Sequence, residues 1–240
     1  MNDDFKNKMI ELSKKINIDI TDEQLEKFYR YMELLLEWNE KINLTAITET
    51  DEVILKHFID SMTVFKYLVE SKNIIDVGTG AGFPGIPVAI TNDNVKITLL
   101  DSLNKRINFL NEVCRELNIN NVETIHGRAE EAGQSKQHRE KYDVVVSRAV
   151  ANLPVLLEYV SPYVKVGGYS IVMKGDSVDE EITLAQNALK TLNLKVDEKI
   201  NYSYVVNDEE YNRSILKIKK TNNTPAKYPR NYGQIKKKPL

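Results

Sequence analysis

The sequence predicts an α/β protein whose sheet is seven-stranded and mostly parallel, with an antiparallel last strand and a helical extension before it. Three observations carry this prediction. The apolar run 74–77 ends in alternating glycines, further apolar runs alternate with helical patterns up to residue 192, and two final strand-like runs are joined by a polar turn. Alternating strands and helices are typical of a parallel sheet that is covered by helices on both faces.

The first quarter, residues 1–71, has only helical patterns. Thr21 and Gln24 form a capping box, and apolar residues then recur at helical spacing from Leu25 to Leu36. A second apolar stripe runs over 53–68. The polar stretch between the stripes, 38–45, is predicted to be a connecting loop, and loops carry function more often than helix stripes do.

The central domain is predicted over 72–220, with its boundary near 71–73. A helix is expected over 178–192, and the last two strands are expected to pair antiparallel. The predicted strands are 73–77, 95–101, 121–125, 142–147, 168–174, 194–204 and 213–219.

The glycine turn after the first strand predicts a nucleotide-binding site. Gly78, Gly80 and Gly82 let the backbone turn sharply and approach a ligand closely. A dinucleotide fold needs Gly or Ala where this chain has Phe83, so that pattern fails. What remains, with Asp76 two residues before the first glycine, resembles motif I of class I S-adenosylmethionine (AdoMet)-dependent methyltransferases. AdoMet is a sulfonium cation without a pyrophosphate, so a nearby carboxylate is tolerable.

Other strand ends supply the remaining candidates, because ligands of open α/β sheets bind outside the carboxyl ends of the strands. Asp101 is expected to hold the ribose hydroxyls, and it can also start the helix that follows. The backbone of Ala129 and Glu130 is expected to meet the adenine. Arg148 would place a permanent cation beside the reacting centre.

Charge is unevenly distributed although the net charge is only −2. From Arg213 to Leu240 there are nine Lys or Arg and no acidic residue, and tyrosines and prolines are interleaved with them. Such a segment is typical of contact with phosphates and unpaired bases. A solvated terminus is the alternative. The basic C-terminal tail is predicted over 221–240.

Several classes of protein are disfavoured by composition. The single cysteine, Cys114, permits no internal disulfide, and the three scattered histidines lack metal-ligand spacing. The amino terminus is charged, and no apolar run has the length of a membrane span. A cytoplasmic protein without a metal or a membrane partner is expected.

Taken together, the motifs make the chain similar to the bacterial small-subunit ribosomal RNA guanine-N7 methyltransferase G family, also called the glucose-inhibited division protein B family. Their order and spacing carry the resemblance over nearly the whole chain. The motifs are residues 38–45 (WNEKINLT), 56–61 (KHFIDS), 76–87 (DVGTGAGFPGIP), 100–106 (LDSLNKR), 128–131 (RAEE), 147–149 (SRA) and 227–233 (KYPRNYG).

The resemblance implies a Rossmann-like class I methyltransferase fold, AdoMet as cofactor, and 16S rRNA or a small-subunit assembly intermediate as partner. A monomer is expected. The tail departs from many relatives at 231–232 and 234–235, which affects the RNA contact and not the cofactor site. The implied or expected cofactor contacts are Gly78, Gly80, Phe83, Asp101, Ala129, Glu130 and Arg148. Substrate positioning is expected from Asn39, Asn43, His57, Asp60, Lys174, Arg148 and Arg230.

No catalytic base is expected, because guanine N7 has an in-plane lone pair that can attack a methyl group without first losing a proton. Alignment is expected to supply most of the acceleration, with Arg148 as the residue nearest to a catalytic role. The target guanine should lie in a loop or bulge, since A-form duplex hides N7. An AdoMet enzyme acting on a small molecule and a non-catalytic RNA-binding protein remain as alternatives. A dehydrogenase is disfavoured by Phe83.

Overall fold

Seven strands form one sheet in the residues that the structure, a computed structural model, describes: 1–68, 70–206 and 209–240. The strands are β1 (Asn73–Val77), β2 (Lys96–Asp101), β3 (Val122–His126), β4 (Tyr142–Arg148), β5 (Val164–Lys174), β6 (Leu194–Val206) and β7 (Glu209–Lys220). Their order is β3-β2-β1-β4-β5-β7-β6, and β7 runs antiparallel to both of its neighbours. The predicted fold class is therefore confirmed. The predicted turn between the last two strands includes residues 207 and 208, which lie outside the described residues.

The helices cover both faces of the sheet. A π-helical segment, Val53–Ile59, joins α3 to α4, and the helix predicted over 178–192 is divided at Ala185 into α9 and α10. The helices are α1 (Asp3–Lys15), α2 (Asp22–Ile42), α3 (Thr50–Glu52), α4 (Asp60–Met62), α5 (Gly85–Thr91), α6 (Asn104–Glu116), α7 (Ala129–Ala132), α8 (Leu153–Val160), α9 (Val178–Leu184), α10 (Gln186–Thr191) and α11 (Tyr232–Lys237). None of these helices is both long enough and apolar enough to cross a membrane.

Helix α2 of the helical extension begins at the capping box that the sequence predicts. The Thr21 hydroxyl accepts from the Gln24 amide at 3.2 Å, and the Gln24 side chain accepts from the Thr21 amide at 3.0 Å. The prediction of a loop from residue 38 was wrong, because α2 continues to Ile42 and ends at Asn43, whose φ is +50°. Trp38 extends the apolar face of α2 and packs on Phe109 of α6, with ring centroids 5.7 Å apart. That contact is tertiary and is not visible in local polarity.

Alternate side chains of β1 belong to two separate apolar cores, since successive residues of a strand face opposite sides of a sheet. Ile74 lies in the core that the helical extension, α5 and α6 cover. Ile75 and Val77 lie in the core beneath α8 and α10. The extension therefore packs on one face of the same sheet, and its π-helical segment reaches the carboxyl ends of the strands.

Candidate active site

Two neighbouring clefts open at the carboxyl ends of the strands. The glycine cleft, about 770 Å³, is lined by Gly78, Asp101, Arg128, Ala129, Glu130, Tyr159 and Tyr232, among others. The arginine cleft, about 560 Å³, is lined by Lys56, His57, Asp60, Arg148, Lys174, Glu181 and Arg213, among others. Residues 149–152 line both clefts and form the wall between them. Four predicted cofactor residues line the glycine cleft, namely Gly78, Asp101, Ala129 and Glu130. Arg148, also predicted as a cofactor contact, lines the arginine cleft instead, with the predicted substrate residues His57, Asp60 and Lys174. The other predicted residues are not in the lining of either cleft: Gly80, Phe83, Asn39, Asn43 and Arg230.

The glycine turn has left-handed backbone at three positions. Gly78, Gly80 and Gly82 have φ values of +73°, +63° and +100°, which cost glycine little. A Cβ at Gly78 would lie 2.5 Å from a methyl of Val150, whereas a Cβ at Gly80 would meet nothing within 4 Å. Gly78 is therefore needed for close packing of the wall, while Gly80 has open space beside its α-carbon.

Asp76 holds the glycine turn from beneath. One carboxylate oxygen accepts from the Thr79 hydroxyl at 2.8 Å and from the Gly85 amide at 2.9 Å. The carboxyl is fully buried, and its other oxygen has no hydrogen-bond partner within the described structure. Burial raises the pKa of Asp76 to about 7 against these hydrogen bonds. Its geometry indicates a structural role for this carboxyl beneath the turn.

Asp101 lies at the tip of β2 and is shared between the glycine turn and the next helix. Its carboxylate accepts from the Gly80 amide at 3.0 Å, the Leu103 amide at 2.9 Å and the Arg106 guanidinium at 3.2 Å. A carboxylate has about four acceptor positions, so the group can still accept from a ligand hydroxyl. The side chain is 3% exposed and lines the glycine cleft.

Ala129 and Glu130 begin α7 at the far end of the same cleft. The Ala129 carbonyl already accepts from the Tyr163 hydroxyl at 2.6 Å and from the Gly133 amide at 3.0 Å. The preceding residue, Arg128, makes no side-chain cap. Since the first amides of a helix have no intrahelical acceptor, the backbone donors of 129 and 130 are the groups available for an adenine contact.

Phe83 is a buried ring at the end of the glycine turn and is not in the lining of either cleft. The His57 ring stacks on it, with centroids 4.4 Å apart and an interplanar angle of 16°. The Arg148 guanidinium lies 5.0 Å from the centroid of the same ring. Phe83 therefore supports the side chains of the arginine cleft at the end of the glycine turn.

Arg148 joins the tip of β4 to the helical extension. Its guanidinium donates to the Asp60 carboxylate at 2.9 Å, to the Lys56 carbonyl at 2.9 Å and to Nδ1 of His57 at 3.2 Å. The second Asp60 oxygen accepts from the Tyr202 hydroxyl at 2.8 Å. Arg148 is thus held by three groups from one turn of helix, and its place beside a reacting centre stays a prediction.

His57 is a neutral ring with a defined tautomer. Because Arg148 can only donate, Nδ1 of His57 accepts, and the ring proton lies on Nε2, 2.9 Å from the Thr45 hydroxyl oxygen. Burial, and next the Arg148 charge, lower the pKa of His57 to about 3. The His57 side chain therefore carries no proton that it could release or take up near neutral pH.

The loop after α2 reaches this cluster through Thr45. The Asn39 side chain accepts from the Thr45 amide at 2.8 Å, and the left-handed Asn43 ends the helix so that the chain can turn. Lys56 and His57 belong to the π-helical segment, and such segments are frequent at functional sites. Asn39 and Asn43 thus support the cluster that contains His57.

A second ion pair lines the arginine cleft. Lys174 donates to the Glu181 carboxylate at 2.6 Å and to the Ala151 carbonyl at 2.7 Å. The same Glu181 oxygen accepts from the Leu153 amide at 2.6 Å, while its other oxygen has a long contact of 3.5 Å with Ser177. Glu181 belongs to none of the motifs, so no local signal marks it as a site residue.

Arg230 lies elsewhere, in the C-terminal segment (residues 221–240). Its guanidinium pairs with the fully buried Glu158 carboxylate of α8, at 2.7 Å and 2.9 Å. The structure thus separates Arg230 from the two clefts and engages its charge within the fold. Contact between Arg230 and a substrate stays a prediction.

Comparison with known proteins identifies the family. A family model described as rRNA small subunit methyltransferase G matches residues 24–207. The chain belongs to this family. Ribosomal RNA small subunit methyltransferase G of Clostridium botulinum (strain Loch Maree / Type A3) is 51% identical over 227 residues, which cover 94% of each chain. The protein of that name from Alkaliphilus oremlandii is also 51% identical over 227 residues, again 94% of each chain.

Solved structures of other methyltransferases share the fold of this chain. An O-methyltransferase from Bacillus cereus in complex with SAH has a TM-score of 0.57 and 16% identity, and the match covers 90% of this chain and all of the other. TYW2 from M. jannaschii in complex with AdoMet has a TM-score of 0.54 and 14% identity, over 68% of this chain and 76% of the other. Both confirm a methyltransferase fold.

Several residues of this methyltransferase G chain join the site without having been selected from the sequence. Lys56 carries a signal, since it directly precedes His57 in a family motif. Tyr202 donates to Asp60 from the distant strand β6, and only the fold brings these two residues together. Tyr232, by contrast, is one of the tail tyrosines that the sequence analysis expected to meet bases, and it lines the glycine cleft. Within the described ranges, no group of three or more His, Cys, Asp or Glu is placed to hold a metal ion.

Proposed function

We propose that the protein transfers the methyl group of AdoMet to N7 of a guanine in small-subunit (16S) ribosomal RNA. One observation carries the proposal. The glycine cleft and the arginine cleft share the wall 149–152, so that a nucleoside cofactor and a flat base have adjoining places. Membership of the methyltransferase G family, whose relatives are named for small-subunit rRNA methylation, supports the choice of substrate.

The glycine cleft fits AdoMet on three grounds. Its volume of about 770 Å³ lies within the range of nucleotide-sized ligand sites. Gly80 leaves open space at the turn, and Asp101 retains an acceptor position. We assign the turn at Gly78 and Gly80 to the methionine part, Asp101 to the ribose and the amides of 129 and 130 to the adenine.

When bound, AdoMet supplies an electrophilic methyl carbon that the N7 lone pair attacks without prior loss of a proton. The chain fits a reaction that needs no base. His57 is neutral and already hydrogen-bonded at both ring nitrogens. The only thiol, Cys114, lies in α6, where burial raises its pKa to about 12, so it is unsuited to covalent attack on a pyrimidine.

The residues of the arginine cleft act by positioning. Arg148 and Lys174 are each held by a carboxylate, so they present fixed charges and not mobile ones. N7 methylation adds a positive charge to the base. The Asp60 and Glu181 carboxylates neutralise Arg148 and Lys174, so these cations oppose the new charge less. By orienting the base plane toward the wall, these residues would hold N7 close to the methyl group of AdoMet, and this proximity lowers the activation barrier.

The RNA partner is proposed to meet the protein beside the arginine cleft. Arg213 lines that cleft and lies 5.7 Å from the ring centroids of both Tyr204 and Tyr211. A cation among aromatic rings suits a phosphate next to a splayed base. We propose that a monomer acts in the cytoplasm on 16S rRNA or on an assembling small subunit, at a guanine in a loop or bulge.

The test is transfer of labelled methyl from AdoMet to small-subunit RNA from cells that lack this protein, followed by nucleoside mass spectrometry. Label in 7-methylguanosine is expected. Label in another nucleoside would overturn the lone-pair mechanism, and AdoMet binding without any RNA methylation would favour a small-molecule substrate or a non-catalytic RNA-binding role.

A further inference from the structure

The C-terminal segment reaches the glycine cleft, which its basic composition did not predict. Tyr232, Lys236 and Pro239 contribute to the lining of that cleft, together with Ala129 and Glu130. The Arg128 guanidinium lies 5.5 Å from the Tyr232 ring centroid, so α7 and α11 approach each other across the opening. The end of the chain is therefore part of the space assigned to AdoMet.

The first part of the segment is fixed to the body of the protein. Arg139 donates to the carbonyls of Thr224 and Tyr228 at 2.7 Å and 2.8 Å. The Gln134 side chain donates to the Pro229 carbonyl at 2.8 Å. With the Arg230–Glu158 ion pair, these contacts secure the segment up to the start of α11.

Beyond this anchor, α11 is held differently. Ile235 is fully buried, while the Tyr232 residue is 46% exposed and Lys236 is exposed as well. Arg128 and Lys236 lie 5.5 Å and 5.7 Å from the centroid of the Tyr232 ring, so the ring is polarised by two cations at the rim of the cleft. The exposed part of an aromatic ring in such a position can stack on a purine. The ring stands at the end of the cleft that contains Ala129 and Glu130, where the backbone donors for an adenine lie.

Two of the five basic residues in the segment have defined places in the fold. Arg230 forms an ion pair with Glu158, and Lys236 lines the cleft. Lys237, one position further along α11, is exposed and is not part of the cleft lining. A segment with a built anchor and a ring at the cleft is more than a solvated basic arm.

We propose that α11 forms the outer wall of the AdoMet cleft and that Tyr232 stacks on the adenine, so that the end of the chain holds the cofactor and not the RNA. The identity of the ligand rests on the proposed function.

The test compares Tyr232→Ala, Tyr232→Phe and Lys237→Ala in the full chain. S-adenosylhomocysteine binding is measured by titration calorimetry, and the KM for unmodified small subunits is measured separately. Tyr232→Ala should lower the affinity for S-adenosylhomocysteine roughly tenfold, because stacking on one base contributes on that order. The KM for the small subunit should stay unchanged. Tyr232→Phe should restore affinity, and Lys237→Ala, which removes a charge from the same helix, should leave it unchanged.

Two results would overturn the inference while the proposed function stands. One is an affinity of Tyr232→Ala within twofold of the wild type. The other is a raised KM for the subunit in both Tyr232→Ala and Lys237→Ala at unchanged S-adenosylhomocysteine affinity, which would return the segment to RNA binding. A wild-type protein that does not bind S-adenosylhomocysteine would overturn the proposed function and this inference together.

Discussion

The Arg148 guanidinium and the Asp60 carboxylate are joined by a hydrogen bond of 2.9 Å across 88 residues of sequence. The Arg148 and Asp60 side chains are 16% and 4% exposed, so removing one leaves the other charge buried without its partner. Arg148→Met should lower the free energy of unfolding by about 3 kcal/mol, and cofactor affinity and turnover should fall with it.

Urea denaturation of Arg148→Met, Asp60→Asn and the double variant measures this coupling. The double variant should be more stable than the sum of the two single losses predicts, since it buries no lone charge. Additive losses, or unchanged affinity and turnover in Arg148→Met, would remove this pair from the site.

His57 should make the stability of the protein depend on acid pH. The folded-state pKa of about 3 lies below the ordinary value of 6.5, so the unfolded chain binds the proton first as pH falls. The contribution of the neutral ring is complete above pH 6.5 and is lost progressively toward pH 3, with a slope of at most about 1.4 kcal/mol per pH unit.

The measurement is the difference in unfolding free energy between wild type and His57→Gln at pH 5, 6 and 7.5. The wild type should gain stability relative to the variant as pH rises from 5 to 6, and the difference should be constant above pH 7. A difference independent of pH throughout this range would show that His57 is not held neutral.

Asp76 should have the opposite pH dependence. Its folded-state pKa of about 7 lies above the ordinary 3.8, so its contribution is largest at low pH and is lost as pH rises through 7. Asp76→Asn keeps an acceptor for Thr79 and Gly85 and removes the titration. The variant should therefore gain stability relative to the wild type between pH 5 and 7, as measured by urea denaturation. A parallel pH profile of the two proteins would contradict this prediction.

Two glycines of one turn should respond differently to the same substitution. A Cβ at Gly82 would lie 2.7 Å from the Tyr31 hydroxyl and 2.9 Å from a Leu110 methyl, so Gly82→Ala should lower unfolding free energy by about 3 kcal/mol. Gly80→Ala has space and should cost only about 1 kcal/mol for its left-handed backbone. Thermal unfolding measures both stabilities.

The same pair separates packing from binding. The methyl group of Gly80→Ala would occupy space at the cofactor turn, so this variant should bind S-adenosylhomocysteine several-fold more weakly even though it is folded. An unaffected affinity would place the cofactor away from Gly80.

Arg230→Ala should destabilise the fold. It leaves the Glu158 carboxylate, which is 0% exposed, without its cation, and the expected loss is about 3 kcal/mol. Lys227→Ala is the control, because it removes an exposed charge from the same segment. Equal stability of the two variants, with a raised KM for the small subunit in Arg230→Ala, would instead support the predicted substrate contact.

The sequence predicted the strand tips well because the glycine turn, β1 and Asp101 are specified by local signals: an apolar run, glycines and an acidic residue at fixed spacing. The ion pairs could not be predicted in the same way. Arg148 pairs with Asp60, and Arg230 pairs with Glu158, but the partners are distant in sequence and only the tertiary fold brings them together. A basic composition indicated a phosphate-binding tail, but composition alone did not reveal that a buried carboxylate would take up one of its charges.

Helix α2 shows the same limit in the helical extension. The polar residues from Trp38 onward predict a loop, but the contact of Trp38 with Phe109 keeps the helix intact for a further turn. Local polarity failed there because Trp38 packs against a distant helix, and α2 ends only at the left-handed Asn43.

The wall between the two clefts has a consequence for inhibitor design. Residues 149–152 are a short stretch, Ala-Val-Ala-Asn, that touches both spaces. A bisubstrate compound that links an adenosine to a guanine-like ring across this stretch would occupy both spaces at once. Such a compound would make contacts in both clefts but lose the translational and rotational entropy of only one molecule, so it should bind more tightly than either part alone.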